Sequence, residues 1–155
     1  MSATSIFVSY ATNDLDRSKA FYEALGYTIN PMFSDENTIC VVVSDTIYFM
    51  VMRREFFATF TDKTIPDAKT HGLSQSSLTL DSREAVDDIV ARGLAAGGFE
   101  ARPAQDLGFM YSRDIDDPDG NALSFLYMDP AAVAAGPEAF MAEQGGAPTD
   151  ASSAV

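Results

Sequence analysis

Four aspartates crowd the stretch Asp114-Ile-Asp-Asp-Pro-Asp-Gly-Asn-Ala-Leu-Ser-Phe125. Carboxylates at this density can hold a hard divalent cation, work as an acid–base pair, or only cap a turn. Little else could join them. Cys40 is the single cysteine and His71 the single histidine, so neither a zinc cluster nor a Ser–His–acid triad can be assembled. His71 lies in the polar segment DAKTHGL and reads as a solvated loop residue, whereas Cys40, in TICVVV, reads as a small buried hydrophobe. Arg113 adjoins the acids and is expected to pair with Asp114, Asp116 or another nearby carboxylate. Tyr111 shares its parity and should share its face. The glycines Gly93, Gly97 and Gly98 follow a helical pattern instead of preceding one, which excludes a phosphate loop. Within the acidic stretch, Pro118 and Asp119 suit the centre of a type I turn, Asp117 can cap it, and Gly120 supplies a left-handed residue.

The chain that must position these groups has 155 residues, 46% of them hydrophobic, enough for one globular domain. A formal charge of −13 argues against nucleic acid and anionic membranes, whose phosphates call for clustered Lys and Arg. No apolar run approaches the roughly 20 residues a membrane helix needs, and the start of the chain lacks signal-peptide character. The expected location is cytoplasmic.

Residues 5–11 form a β-type run, followed by a helix capped by Asn13 or Asp14, with Ser18, Phe21, Tyr22 and Leu25 on one face and Gly26 at its end. YTINPMF, TICVVVS and TIYFMVMRR read as three strands. The order then repeats. Residues 74–81 are a strand, and the next helix is capped by Asp81 or Ser82, with Glu84 placed for a capping box and a double glycine at its end. FEARPAQ, FMYSRDID and NALSFLYMD supply further strands. Gly26 and Gly98 lie 72 residues apart, as expected of a duplicated β-α-β-β-β unit. The predicted fold class is α+β: module one spans about 5–54, a linker 55–73, and module two about 74–128, within a domain covering 1–130. The linker carries Phe56, Phe57 and Phe60 at helical spacing and should cover a sheet edge or pocket mouth. Residues 131–155 form an Ala/Gly-rich tail in which PEAFMAEQ can make a short helix, with disorder expected beyond it.

The stretches VSYATNDLDRSKAFYEALGY and GFMYSRDIDDPDGNALSFLYMD resemble the two most characteristic segments of the vicinal oxygen chelate superfamily, which includes glyoxalases, bleomycin resistance proteins and extradiol dioxygenases. The resemblance spans about residues 5–128. It implies two modules whose curved mixed sheets form a cup with helices outside, a small organic ligand in the cup, usually with a divalent metal, and a homodimer. The family's metal-ligand positions fall here on Phe7, Met50, Gln75 and Ser124. None is His, Asp or Glu, and Phe7 and Met50 offer a hard cation nothing. No metal and no cofactor are therefore expected.

If Phe7 and Met50 face the cup, strand alternation sends Ser5, Ser9, Tyr48 and Met52 there as well. In module two the same face receives Gln75, Ser77, Thr79, Ala122, Ser124 and Leu126. The expected ligand-binding set is Phe7, Ser9, Tyr48, Met50, Gln75, Ser77, Tyr111, Arg113 and Ser124, a mixed lining suited to a partly apolar molecule. The alternative is that Phe7 and Met50 simply fill the cup as packing. Three functions fit: a metal-free small-molecule binder, a metal-dependent lyase or dioxygenase with non-standard ligands, and a metal-independent enzyme using Tyr48, Gln75 or Arg113. No catalytic base can be named.

Overall fold

The computed structural model describes residues 1–100 and 102–145. Module one runs β1 (Ile6–Thr12), α1 (Leu15–Ala24), β2 (Thr28–Ile29), β3 (Thr38–Val42) and β4 (Ile47–Arg53), with sheet order β1-β4-β3-β2. The linker opens with α2 (Arg54–Phe57) and a 3-10 turn at Ala58–Phe60. Module two runs β5 (Gln75–Thr79), α3 (Arg83–Ala95), β6 (Gln105–Asp106), β7 (Met110–Asp116) and β8 (Ala122–Met128), ordered β5-β8-β7-β6. In each sheet the first strand pairs parallel with the last and the other pairings are antiparallel. Two open four-stranded mixed sheets with outer helices make an α+β fold. Helices α4 (Pro130–Ala135) and α5 (Pro137–Glu143) follow; the disorder expected at the end of the chain falls largely on 146–155, outside the described residues.

Local chemistry sets the element ends. Asp14 caps α1 by accepting from Arg17 N–H at 3.0 Å, and Ser82 caps α3 by accepting from Ala85 N–H at 3.1 Å. With Ser82 as cap, Glu84 sits one position too early for a capping box. Gly26 ends α1 with φ 98° as expected, but at the end of α3 the left-handed residue is Gly97, with φ 95°. Gly98 serves a different need: a Cβ there would lie 2.7 Å from Ile115 Cδ1 and 2.8 Å from Phe21 Cε2. The strand anticipated at YTINPMF shrinks to Thr28–Ile29, and among the described residues of FEARPAQ only Phe99, bridged to Asp116, and Gln105, which opens β6, pair as strand. Pro31 opens a 3-10 turn, and Pro103 has no N–H to give a ladder.

One hydrophobic core joins the modules. Phe21, Tyr22 and Leu25 of α1 and Phe49 and Val51 of β4 cluster with Val86 and Val90 of α3 and with Ile115, Leu123 and Phe125 of β7 and β8. Burial of each such side chain contributes about 1.5–3 kcal/mol. Alternation then sends the other residue of each strand pair to the sheet face turned away from the helices. The β1 and β5 edges meet where the Tyr10 and Ser76 hydroxyls are hydrogen-bonded.

Candidate ligand cavity and the aspartate brace

The acidic stretch is an architectural brace. Asp117 is 2% exposed, and its carboxylate accepts from the N–H groups of Asp119 and Asn121, from Asn121 Nδ2 and from Tyr22 Oη, each at 2.9 Å. Its cap on the turn is as expected, and Gly120 has φ 94°. Burial pushes the Asp117 carboxyl above its ordinary value, against the opposing pull of Asn121 and Tyr22. Asp119, also buried, reaches into module one. It accepts from Thr12 Oγ1 at 2.6 Å, Asn13 N–H at 2.9 Å, Arg17 Nη2 at 3.0 Å and Ser18 Oγ at 3.3 Å. Asn121 Nδ2 adds a bond to the Ala11 carbonyl at 3.2 Å. With this many donors committed, neither aspartate has a lone pair to spare for a metal or a transferable proton.

The sheet face turned away from the helices carries most of the anticipated ligand set. Phe7, Ser9 and Ala11 of β1 stand beside their register partners Tyr48, Met50 and Met52 of β4, and the Phe7 and Tyr48 rings stack with centroids 4.7 Å apart. In module two, Gln75 pairs with Ala122 and Ser77 with Ser124 on the corresponding face. Ser112, Asp114 and Asp116 of β7 share it, opposite Leu126, Ser124 and Ala122.

Tyr111 and Arg113 do not join them. Both lie in phase with Ile115, whose side chain is in the core, so they project to the α3 side. There Arg113 holds Asp87 and Glu100 in ion pairs at 2.9 and 2.7 Å, and Tyr111 Oη donates to Asp87 at 2.7 Å. Their placement in the cup is corrected accordingly. Arg113 satisfies acids other than those beside it, and Asp114 pairs instead with Arg102.

One end of this face is roofed by the linker, leaving a cavity of about 780 Å³. Ser9, Ala11 and Met52 of module one and Asp116 and Ala122 of module two form its floor, and Phe57, Phe60, Ile65 and Leu73 face it from the linker. Of the anticipated ligand set only Ser9 lines it; Phe7, Tyr48, Met50, Gln75, Ser77 and Ser124 lie on the sheets beyond. His71 is among the linker residues at the cavity, its ring nitrogen Nδ1 2.8 Å from Thr70 Oγ1. Strand alternation from Met50 already pointed to Met52, and Ala11 is the next residue of the same parity after Ser9. Phe57 and Phe60 give the cover expected of the linker, whereas the approach of Ile65 and Leu73 depends on long-range packing that no local pattern announces.

Two contacts hold the roof down. Arg54 Nη2 donates to the Ile65 carbonyl, closing the linker on itself. Gly120 lies directly beneath the linker backbone, where a Cβ would come within 2.5 Å of Lys69 N. At the floor, burial and the neighbouring Asp114 push the Asp116 carboxyl above its ordinary value. Among the described residues its carboxylate has no ion-pair or side-chain hydrogen-bond partner.

The family model for the bleomycin resistance protein-like N-terminal region matches residues 4–44. A glyoxalase/bleomycin resistance protein/dioxygenase family enzyme from Burkholderia phytofirmans superposes with TM-score 0.66 at 18% identity, covering 79% of this chain and 97% of that one. The chain thus has the fold of the glyoxalase/bleomycin resistance protein/dioxygenase structures. A glyoxalase/bleomycin resistance protein from Albidiferax ferrireducens is similar at TM-score 0.60 and 25% identity, covering 79% of this chain and 97% of that one. The bleomycin resistance determinant encoded on transposon Tn5 is similar at 0.56 and 18%, with 80% and 97% covered. No curated protein matches. No helix among the described residues is long and apolar enough to cross a membrane.

The superfamily's metal does not fit the residues at its usual positions. Phe7, Met50, Gln75 and Ser124 lie on the appropriate sheet faces but offer a ring, a thioether, an amide and a hydroxyl, not anionic oxygens or imidazoles. Among the described residues no three His, Cys, Asp or Glu side chains converge as a metal site.

Proposed function

We propose that the protein binds a small, partly apolar organic molecule without a metal, in the cavity between the sheet face and the linker. The observation that carries this reading is the cavity itself. At about 780 Å³ it lies within the range of drug-sized ligand sites, and aromatic and aliphatic side chains combine there with a few polar groups. The donor set at the superfamily's metal positions favours a metal-free mode. Native mass spectrometry of purified protein, with metal analysis of the same sample, tests both parts. A retained organic mass, lost in Ala11→Trp, is expected; one tightly held divalent ion per chain would overturn the metal-free reading.

The protein is further proposed to act as a cytoplasmic homodimer. Phe7 is 59% exposed beside Tyr48, an apolar pair that a second copy would cover. Sedimentation of wild type against Phe7→Glu tests the assembly, with a monomeric wild type as the contrary result.

A further inference from the structure

Building on the reading that the cavity holds an organic ligand, we propose that this ligand is an amine, its ammonium group bound by the Asp116 carboxylate and its apolar body lying against Phe57, Phe60 and Ile65.

The charges around the cavity are otherwise employed or exposed. Asp119 is saturated by Thr12, Asn13, Ser18 and Arg17. Asp67 caps the linker's own backbone at Lys69 N–H, and Arg54 is committed to the Ile65 carbonyl. Lys63 and His71 are exposed on the linker. Asp114, next along the same face of β7, is neutralised by Arg102. Among the described residues, Asp116 alone is half-buried at the cavity floor without a polar side-chain partner.

A carboxylate withdrawn from water is costly until a donor reaches it. An anionic ligand would add repulsion, and a neutral one would leave the charge unmatched. An ammonium group supplies both the opposite charge and the hydrogens, in the class of hydrogen bond that is strongest in proteins. The linker phenyl groups favour the same ligand, because they pack an apolar body and their ring faces attract a cation. The chain's charge of −13 draws cations towards it.

Three matched probes separate the contributions: phenethylamine, phenethyl alcohol and phenylacetate, titrated by calorimetry or ligand-observed NMR. The amine should bind the wild type roughly tenfold more tightly than the alcohol, and phenylacetate most weakly. Asp116→Asn should bring the amine to the level of the alcohol, while Asp114→Asn, a control for a neighbouring acid on the same face, should keep the amine preference. Equal binding of amine and alcohol to wild type, or an amine preference that survives Asp116→Asn, would overturn the ammonium inference. In either case, loss of alcohol binding in Ala11→Trp would still support the cavity itself. If none of the three probes binds, the cavity reading fails along with the inference.

Discussion

The carboxylate of Asp119 accepts a 2.6 Å hydrogen bond from Thr12 Oγ1, tying the turn between β7 and β8 to the end of β1 in the other module. Asn13, Arg17 and Ser18 complete the attachment. Asp119→Ala strands several of these donors in a buried seam, and such losses cost about 3–5 kcal/mol. Thr12→Val removes a single donor and should cost about 1–2 kcal/mol. Urea denaturation reads both. Equal midpoints for Asp119→Ala and wild type would show that the seam carries no stability.

Gly120 and Gly136 form a matched pair. Both have positive φ, 94° and 89°, but a Cβ on Gly120 meets the linker backbone at 2.5 Å, whereas a Cβ on Gly136 meets nothing within 4 Å. Gly136, with ψ 149°, lies where essentially only glycine is found, so Gly136→Ala should cost about 1–3 kcal/mol, the backbone penalty alone. Gly120→Ala should cost at least about 1 kcal/mol more and speed proteolytic cleavage within residues 55–73. Equal stability and equal cleavage in the two variants would show that the linker does not rest on this turn.

Asp116 gives a prediction of opposite sign. Its folded carboxyl titrates above its ordinary value because of burial and Asp114, so folding favours the protonated form. The stability this contributes is present at low pH and is lost as pH rises through the raised value. At neutral pH, without ligand, Asp116→Asn should therefore stabilise the protein slightly, by under about 1 kcal/mol. A thermal melt of the unliganded variant checks it; a lower melting temperature than wild type contradicts it. A substitution that improves the empty protein while weakening amine binding is the mark of a functional carboxylate.

The exposed pair of Arg83 and Asp106 sets an acid limit of its own. The Arg83 guanidinium and the Gly108 N–H hold the Asp106 carboxyl down to about 2. Its contribution is present above the unfolded carboxylate range, near 3.9, and is lost as pH falls towards 2. Solvent screens the pair, so the effect is modest. The denaturation midpoint of wild type should fall more steeply between about pH 4 and 2 than that of Asp106→Asn. Parallel curves would assign the acid sensitivity elsewhere.

Much of this architecture was legible where the cause is local. Asp14 and Ser82 announce helix starts because their side chains reach the backbone two or three residues on, and the β4 residues Tyr48 to Met52 announce two faces by alternation. Arg113 was assigned to the wrong face although β7 held the signal: Ile115, between Asp114 and Asp116, fixes the parity that sends Arg113 and Tyr111 to the helix side. Asp119 was readable as a turn residue but not as a brace, because its partners lie more than a hundred positions away. Asp116 was expected among the partners of Arg113; the same parity removes that partner, but no local pattern predicts that Arg102 takes Asp114.

The bond between Thr12 and Asp119 also imposes an order in time. During synthesis, β1, α1 and the rest of module one emerge while the carboxylate that will satisfy Thr12, Asn13 and Ser18 has yet to be made, and water must hold those donors until it arrives. Contacts this distant in sequence form slowly, after local structure. The seam between modules is thus a closing step, completed only when the turn at Pro118 has left the ribosome, and the cavity that spans both modules cannot exist before it.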